Sequence, residues 1–197
     1  MKKWIAGVDE AGRGPLAGPV CASAVILDTL APDLAHLVPD LTDSKKLSEK
    51  KRNDLYDWIC EHADAYAIAY ASVDEIDELN IRQASLLAMR RAVDQLSLTP
   101  TWVQVDGRDL PKWPYPGEAI IGGDLICSNI SAASILAKVS RDRLMLDLHS
   151  KYPCYGFDAH KGYPTAQHIK NIRQFGPSDI HRKSFGPVKK CLQMTDL

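Results

Sequence analysis

The acidic residues best suited to chemistry in this chain follow short apolar segments. Asp9 and Glu10 follow one such segment, and Asp106 and Asp124 each follow another. Carboxylates that are brought together repel one another unless a proton or a cation compensates their charge. Mg²⁺ prefers oxygen ligands and keeps several waters, so a few carboxylates suffice to bind it. The pattern predicts a divalent-metal site, and two ions roughly 4 Å apart could clamp a phosphodiester and activate a water.

Two considerations weigh against a single acidic site. Each acid could instead cap a helix, form a turn or lie on the surface. In addition, Asp9 and Glu10 are adjacent, and adjacent residues of a strand point to opposite faces. Both can serve one site only if the strand has ended or bulges there, which Gly7 and Gly12 favour.

A glycine-rich segment follows the first two acids. Gly12, Gly14 and Gly18 have a spacing one residue longer than that of the dinucleotide fingerprint. The preceding carboxylates would repel a pyrophosphate, and the next segment, Pro19 to Leu27, has the composition of a strand. The glycines can instead let the backbone of this segment approach a ribose, whose 2′-hydroxyl both donates and accepts hydrogen bonds.

Three further segments have the composition of nucleic-acid contacts. Two lysines precede the N-terminus of a predicted helix, two serines lie among small residues of another, and a lysine and a tyrosine share a rigid loop. The lysines could instead lie in an exposed loop, the serines could serve tight packing of helix on sheet, and the tyrosine could belong to the core. The candidate substrate-binding residues are Lys45, Lys46, Ser131, Ser134, Lys161 and Tyr163.

The elements that must position these residues are predicted from apolar periodicity and caps. Strands are predicted at Trp4–Val8, Pro19–Leu27, Ala65–Ala71, Trp102–Val105 and Ala119–Ile121. Helices are predicted from Ser48 to His62, from the capping box Ser72–Glu75 to about Leu96, from Ser131 to Leu148, and over Thr165–Gln174. This order predicts an α/β domain with a mixed five-stranded sheet over residues 1–150. A basic helical extension, residues 151–197, would pack on it as one structural unit.

Composition narrows the class of protein. The 197 residues are 45% hydrophobic and 25% charged, which excludes disordered, collagen-like and coiled-coil chains. The longest apolar stretch, Pro15 to Leu27, is shorter than the ~20 residues of a membrane span, and the five scattered cysteines suggest free thiols. Net charge is −1, yet residues 138–190 carry eleven Lys and Arg against four acids. This distribution allows a molecule with one basic and one acidic end, and the alternative is a well-solvated surface. We expect a cytoplasmic protein with no membrane partner.

Six segments, in order, resemble the motifs of bacterial ribonuclease HII, a type 2 ribonuclease H family. They are residues 7–20 (GVDEAGRGPLAGPV), 43–48 (DSKKLS), 105–107 (VDG), 130–139 (ISAASILAKV), 160–164 (HKGYP) and 182–187 (RKSFGP). The resemblance implies a ribonuclease H-like fold and endonucleolytic cleavage of the RNA strand of RNA–DNA hybrids. It also implies incision 5′ of single ribonucleotides in duplex DNA, which leaves a 3′-hydroxyl and a 5′-phosphate.

The resemblance also assigns roles to residues. It implies that the catalytic, metal-binding acids are Asp9, Glu10, Asp106 and Asp124, holding Mg²⁺ or Mn²⁺ in a two-metal mechanism. It further implies that the segment 12–14 reads the ribose 2′-hydroxyl and that Tyr163 recognises the DNA side of an RNA–DNA junction. We expect a monomer, with a sliding clamp as a candidate protein partner.

One position departs from the family pattern. Members usually have Lys-Gly-Asp at the fourth acid, whereas this chain has Gly122-Gly123-Asp124 followed by an apolar segment. The missing cation predicts weaker substrate binding or a stronger preference for Mn²⁺.

Three other functions remain open at the level of sequence. A two-metal exonuclease or a junction resolvase could use the same acids. A non-catalytic nucleic-acid-binding module would use only the basic C-terminal stretch, and a nucleotide-dependent oxidoreductase would use the glycine segment.

Overall fold

A five-stranded sheet forms the centre of the molecule in a computed structural model that describes residues 3–27 and 47–195. Lys45 and Lys46 lie outside the described residues. The strands are β1 (Ile5–Ala11), β2 (Val20–Ile26), β3 (Ala65–Ala71), β4 (Trp102–Asp106) and β5 (Gly117–Ile120). Their order is β3-β2-β1-β4-β5. The pairs β1–β2 and β2–β3 are antiparallel and the pairs β1–β4 and β4–β5 are parallel, which confirms the predicted mixed sheet.

Helices cover both faces of the sheet. They are α1 (Glu49–His62), α2 (Val73–Leu79), α3 (Ile81–Asp94), α4 (Ser128–Lys151), α5 (Phe157–His160), α6 (Ala166–Phe175) and α7 (Gly186–Thr195). Helix α3 packs on β2 and β3, while α4 packs on β1 and β2. Successive side chains of a strand alternate between faces, so Ala24 of β2 joins the α3 core and Val25 joins the α4 core. None of the described helices is long and apolar enough to cross a membrane.

Side-chain caps set several helix starts where the sequence predicts them. Ser48 accepts a hydrogen bond from the Lys51 amide, and Thr165 accepts one from the His168 amide. Both caps satisfy amides that the first helical turn leaves without partners.

The single helix predicted from the Ser72–Glu75 capping box to about Leu96 is wrong. The capping box is present, but the helix ends at Leu79, and α3 begins after Asn80. Asn80 has φ 71° and ψ 160°, and its side chain accepts hydrogen bonds from the amides of Arg82 and Gln83. A new N-cap inside the periodic segment therefore starts a second helix.

Three other boundaries differ from expectation. Strand β1 continues to Ala11 instead of ending at Val8, because it stays paired with β2 through Ala11↔Cys21. Strand β5 starts at Gly117, two residues earlier than predicted, because it pairs with β4 from Val103↔Gly117. Helix α4 extends beyond the predicted 131–148 at both ends.

The residues after α4 pack on the sheet domain through an apolar cluster of their own. Phe157, Ile172 and Val188 belong to the same cluster as Leu16, in the loop after β1, and Met145 of α4. Ala17 also forms an isolated antiparallel bridge with His181. These contacts place the C-terminal segment against the glycine-rich loop.

Candidate active site

A cavity of about 460 Å³ lies at the edge of the sheet where β1 and β4 end. Many of the predicted site residues border it. The lining residues are Asp9, Glu10, Ala11, Gly12, Arg13, Gly14, Arg52, Asp106, Ser134, Lys138 and Tyr163. Ligand sites in sheets of this kind form beyond the carboxyl ends of parallel strands, which is where this cavity lies.

The positions of Asp9 and Glu10 follow from how β1 is paired. The parallel ladder with β4 stops at Val8↔Val105, whereas the antiparallel ladder with β2 continues. Asp9 pairs with Ser23, whose hydroxyl donates to the Ala133 carbonyl of α4, so Asp9 lies on the α4 face. The expectation that β1 has ended at these acids is wrong. Both nevertheless border the cavity, because the ladder between β1 and β4 stops at Val8↔Val105, one residue before Asp9.

Asp9 is the most buried carboxylate of the site, with 6% of its surface exposed. Its Oδ1 accepts a hydrogen bond from the Glu10 amide at 2.7 Å. Burial raises the pKa of Asp9 well above its ordinary value, and the charges of Glu10 and Asp106 raise it further. The pKa of Glu10 is also raised by burial, although Arg13, whose Nη1 lies 3.2 Å from Oε1, partly offsets this effect.

These carboxylates fit a hard divalent cation. Bound positive charge would relieve the repulsion and desolvation that raise the pKa of Asp9, and all the donors are the oxygens that Mg²⁺ and Mn²⁺ prefer. Within the described part of the chain, no three Asp, Glu, His or Cys side chains form a group that could hold a metal ion as they stand. The acids therefore border one cavity without forming a closed ligand set.

Asp106 ends β4 and is tied to the turn that carries the fourth acid. Its Oδ1 accepts a hydrogen bond from the Gly123 amide at 2.8 Å. Gly122 has φ 67° and begins the 3-10 turn Gly123–Leu125, and a Cβ at Gly123 would lie 2.5 Å from the side chain of Ile130. Asp124 is half-buried on this turn, beside the cavity and not among its lining residues.

The glycine segment and Tyr163 line the same cavity as these acids. Gly12 has φ 96°, and a Cβ there would lie 1.9 Å from Nε of Arg141. A Cβ at Gly14 would lie 3.5 Å from the Tyr163 ring, which is therefore close to this glycine. Tyr163 is 41% exposed, which excludes the alternative of a core tyrosine.

Of the remaining candidate substrate-binding residues, Ser134 lines the cavity, whereas Ser131 and Lys161 do not. Ser134 borders the cavity beside Asp9, with which it forms a hydrogen bond. Ser131 is buried inside α4 with 1% exposure, in agreement with the alternative of tight helix–sheet packing. The Lys161 ammonium donates to the Asp158 carbonyl, and Lys161 is not among the lining residues.

Sequence reasoning missed two cations of this cavity, Arg52 and Lys138. Lys138 lies one helical turn after Ser134, so the i, i+4 periodicity of α4 could have identified it. Arg52 lies on α1, and only the packing of α1 on α4 brings it to the cavity.

Comparisons with known proteins agree along nearly the whole chain. The family model "Ribonuclease HII" matches residues 6–188. A ribonuclease HII from Burkholderia ambifaria is 54% identical over 190 residues, which are 96% of this chain and 85% of that protein. The crystal structure of the ribonuclease H2 from Pyrococcus horikoshii is 27% identical, with a TM-score of 0.82 over 98% of each chain.

A third relative shares the fold at lower identity. It comes from the structure of a complex of PCNA and ribonuclease HII from Archaeoglobus fulgidus. It is 23% identical, with a TM-score of 0.77 over 93% of this chain and 95% of that chain.

Proposed function

This chain belongs to the ribonuclease HII family, and from that premise we propose that it incises duplex DNA on the 5′ side of single embedded ribonucleotides. It is an endoribonuclease with a ribonuclease H-like fold, as its motifs implied. Its family cleaves the RNA strand of RNA–DNA hybrids and depends on divalent metal. The proposed incision leaves a 3′-hydroxyl and a 5′-phosphate.

One observation carries this proposal: the glycine loop, Tyr163 and the carboxylates border the same cavity. We assign reading of the ribose 2′-hydroxyl to the backbone of Gly12, Arg13 and Gly14. The exposed Tyr163 ring lies close to Gly14, where it can stack on the sugar or base of the neighbouring nucleotide. A single ribose next to DNA is thus recognised at the point where cleavage occurs.

The metal ligands are proposed to be Asp9, Glu10 and Asp106, with Asp124 joining them from the adjacent turn. When bound, Mg²⁺ or Mn²⁺, two ions in the proposed mechanism, supplies Lewis acidity and activates the attacking water. Arg52 and Lys138 are the further basic side chains of this cavity, where the phosphates of the substrate would lie, and Lys138 also pairs with Asp142 at 2.8 Å.

No histidine is among the described residues that line the cavity. His160 is committed elsewhere, because its Nδ1 accepts from the Gly162 amide and its Nε2 donates to the Tyr155 carbonyl. The side chains bordering the cavity therefore provide carboxylates but no imidazole as a base. This favours a reaction that depends on metal over one that depends on a side-chain base.

The test is incision of an end-labelled DNA duplex with one ribonucleotide, incubated with Mg²⁺, with Mn²⁺ or with a chelator. We expect cleavage immediately 5′ of the ribonucleotide with metal, none with chelator, and none when a deoxyribonucleotide occupies that position. Blocked duplex ends separate this activity from an exonuclease, which would leave the substrate intact.

Two results would contradict the proposal in different ways. Cleavage of a long RNA–DNA hybrid without incision at the single ribonucleotide would refute the roles of the glycine loop and Tyr163. Salt-dependent binding without cleavage by either metal would favour the non-catalytic module.

The assembly is proposed to be a monomer, with a sliding clamp as its candidate protein partner. The Archaeoglobus fulgidus relative was solved in complex with PCNA. Light scattering of the purified chain, alone and with a clamp from the same cell, measures both properties. A single dimer peak for the chain alone would contradict the proposed monomer. A mass that stays unchanged when the clamp is added would contradict the proposed partner.

A further inference from the structure

Arg182 lies fully buried in the C-terminal segment, 170 residues after the glycine loop that it contacts. Its guanidinium donates three hydrogen bonds to carbonyls of that loop. Nη2 donates to Gly12 at 2.7 Å, Nη1 donates to Arg13 at 3.0 Å, and Nε donates to Gly18 at 2.9 Å. The flat guanidinium fork thus fixes both ends of the loop at once.

A second buried arginine supports the loop from α4. Arg141 is 1% exposed and donates to the carbonyls of Ala17, Pro19 and Lys161 at 3.0–3.1 Å. Its side chain lies against the α-carbon of Gly12, where a Cβ would be 1.9 Å from Nε. The same residue therefore joins the glycine loop to the loop that carries Tyr163.

The two arginines are an energetically expensive way to hold a loop. Burial, together with the nearby charge of Arg141, lowers the pKa of Arg182 to about 9. Their hydrogen bonds run to neutral carbonyls instead of carboxylates, so the desolvation cost is not offset by ion pairing. Apolar side chains could fill this space at lower cost, but they could not orient six carbonyl groups.

The orientation of those carbonyls determines where the amides of the loop point. All described peptide bonds are trans, and in a trans peptide the N–H points opposite to the C=O. When Arg182 binds the Gly12 and Arg13 carbonyls, the amides of Arg13 and Gly14 are directed away from it. Neither amide donates a hydrogen bond to any described residue, and both residues border the cavity.

We propose that Arg182, supported by Arg141, is a positioning residue that directs the Arg13 and Gly14 amides at the ribose 2′-hydroxyl. The inference rests on the function proposed above for the glycine loop. It assigns the specificity for ribose partly to Arg182 of the C-terminal segment, although Arg182 does not itself line the cavity. Selectivity then depends on contacts between residues about 170 positions apart.

The test compares the binding of two duplexes that differ by one 2′-hydroxyl. Dissociation constants are measured for a DNA duplex with one ribonucleotide and for the all-DNA duplex, with Ca²⁺ replacing Mg²⁺ and a gel confirming that both stay intact. The proteins are the wild type, Arg182→Lys, Arg182→Met and the control Arg173→Met, which removes an exposed arginine of the same C-terminal segment.

We expect Arg182→Lys to reduce the preference for the ribonucleotide duplex at least tenfold, while its affinity for the all-DNA duplex stays within twofold. Lysine keeps the charge, but its three donors share one nitrogen and cannot reproduce the planar fork in which three guanidinium nitrogens each bind one carbonyl. Arg173→Met should retain the wild-type preference. An unchanged preference in a folded Arg182→Lys, or an equal loss of affinity for both duplexes, would overturn the inference.

Failure of the underlying function has a different signature. A wild type that binds both duplexes equally would remove the ribose-reading role itself. If neither Arg182 variant folds, amide NMR of the wild type decides. The Arg13 and Gly14 resonances should shift more with the ribonucleotide duplex, and equal shifts would overturn the inference.

Discussion

At the residue scale, the carboxylates of the cavity determine what it can bind. Burial raises the pKa of Asp9, and the nearby charges of Glu10 and Asp106 raise it further. Arg13 reaches Glu10 but is itself exposed at the rim, so it compensates only part of the charge. The site therefore favours a cation that brings two positive charges into a small volume.

Asp106→Asn should abolish turnover while the fold persists. The amide oxygen of asparagine can still accept the hydrogen bond from Gly123, but it is a weaker metal ligand than a carboxylate. Loss of several kcal/mol of charge stabilisation corresponds to roughly a 10³-fold lower rate. The measurement is single-turnover cleavage, with circular dichroism as a check on the fold.

The matched control is Asp109→Asn, the same change three residues later. Asp109 pairs with Arg82 at the surface and does not border the cavity, so its rate should stay near wild type. Wild-type activity of Asp106→Asn would remove Asp106 from the metal site.

Gly122→Lys should strengthen substrate binding or weaken any preference for Mn²⁺. Among the described residues a Cβ here would meet only Leu125, at 3.9 Å, so there is room, but the φ of 67° is unfavourable for a side chain. A surface cation is worth at most about 1 kcal/mol, or roughly a fivefold change in KM.

Gly122→Gln is the control for Gly122→Lys, because it adds a long side chain and the same backbone strain without the charge. KM is compared for the two variants in Mg²⁺ and in Mn²⁺. Identical values for lysine and glutamine would show that the missing cation has no functional consequence.

At the scale of elements, one residue separates α2 from α3. Asn80 adopts φ 71° and ψ 160° and caps α3 through its side chain. Arg91 of α3 binds both carboxylate oxygens of Glu75 in α2, which lowers the pKa of Glu75 to about 2. A strained backbone and a bidentate ion pair together hold the two helices at their angle.

Substitutions of Asn80 should separate capping from strain. Asn80→Ala loses the cap and retains the strain, so the free energy of unfolding should fall by about 1–2 kcal/mol. Asn80→Gly loses the cap at a cost of a few tenths of a kcal/mol but removes the strain, so it should be at least as stable as the wild type. Urea denaturation measures both, and equal losses for alanine and glycine would contradict the role of the backbone.

At the scale of the whole molecule, two histidines, His168 and His181, link the Tyr163 loop to the segment after α6. The Ser178 amide donates to Nδ1 of His181, which places the His181 proton on Nε2. That proton is donated to Nε2 of His168 at 3.1 Å, and His168 in turn donates from Nδ1 to the Tyr163 carbonyl. Each imidazole is therefore neutral, with one defined tautomer.

This network predicts that the protein loses stability in mild acid. Burial lowers the pKa of His168 to about 4 and that of His181 to about 3, below the ordinary 6.5. Between these values and 6.5 the unfolded chain binds more protons, so the free energy of unfolding decreases as pH falls below about 6.5. The decrease continues until the folded-state pKa values are reached.

His168→Gln should weaken this pH dependence. Without His168, the unfolded chain takes up one proton fewer relative to the folded state in this pH range. Between pH 7 and pH 5 the free energy of unfolding of the variant should therefore fall by about 2 kcal/mol less than that of the wild type. Urea denaturation at several pH values gives both curves. Parallel curves would show that His168 does not contribute, whatever the absolute stability of the variant.

We propose that residues 1–150 and 151–197 form one structural unit. The C-terminal segment supplies Arg182 to the glycine loop and Phe157, Ile172 and Val188 to a shared apolar cluster. A cooperative transition that is the same for probes on either side of residue 150 would support this proposal, and two separate transitions would contradict it.

The sequence by itself determined that there are five strands, where α1, α2 and α6 begin, and the residue types of the site. Alternating or helical periodicity and caps such as Ser48 depend on contacts within a few residues, which a sequence displays directly. The acids at strand ends could be grouped because parallel strands bring their carboxyl ends to one edge. The resemblance to ribonuclease HII was also visible in the sequence, because its motifs are short runs of residues that occur in a fixed order.

Only the tertiary structure decided how these parts meet. It places Asp124 beside the cavity and Ser131 inside α4, brings Arg52 to the cavity wall, and buries Arg182 against Gly12. Such contacts join residues that are far apart in the chain, and their energies depend on burial and on exact carbonyl orientation. Neither quantity is expressed in local periodicity, because both arise only when distant segments exclude water from between them.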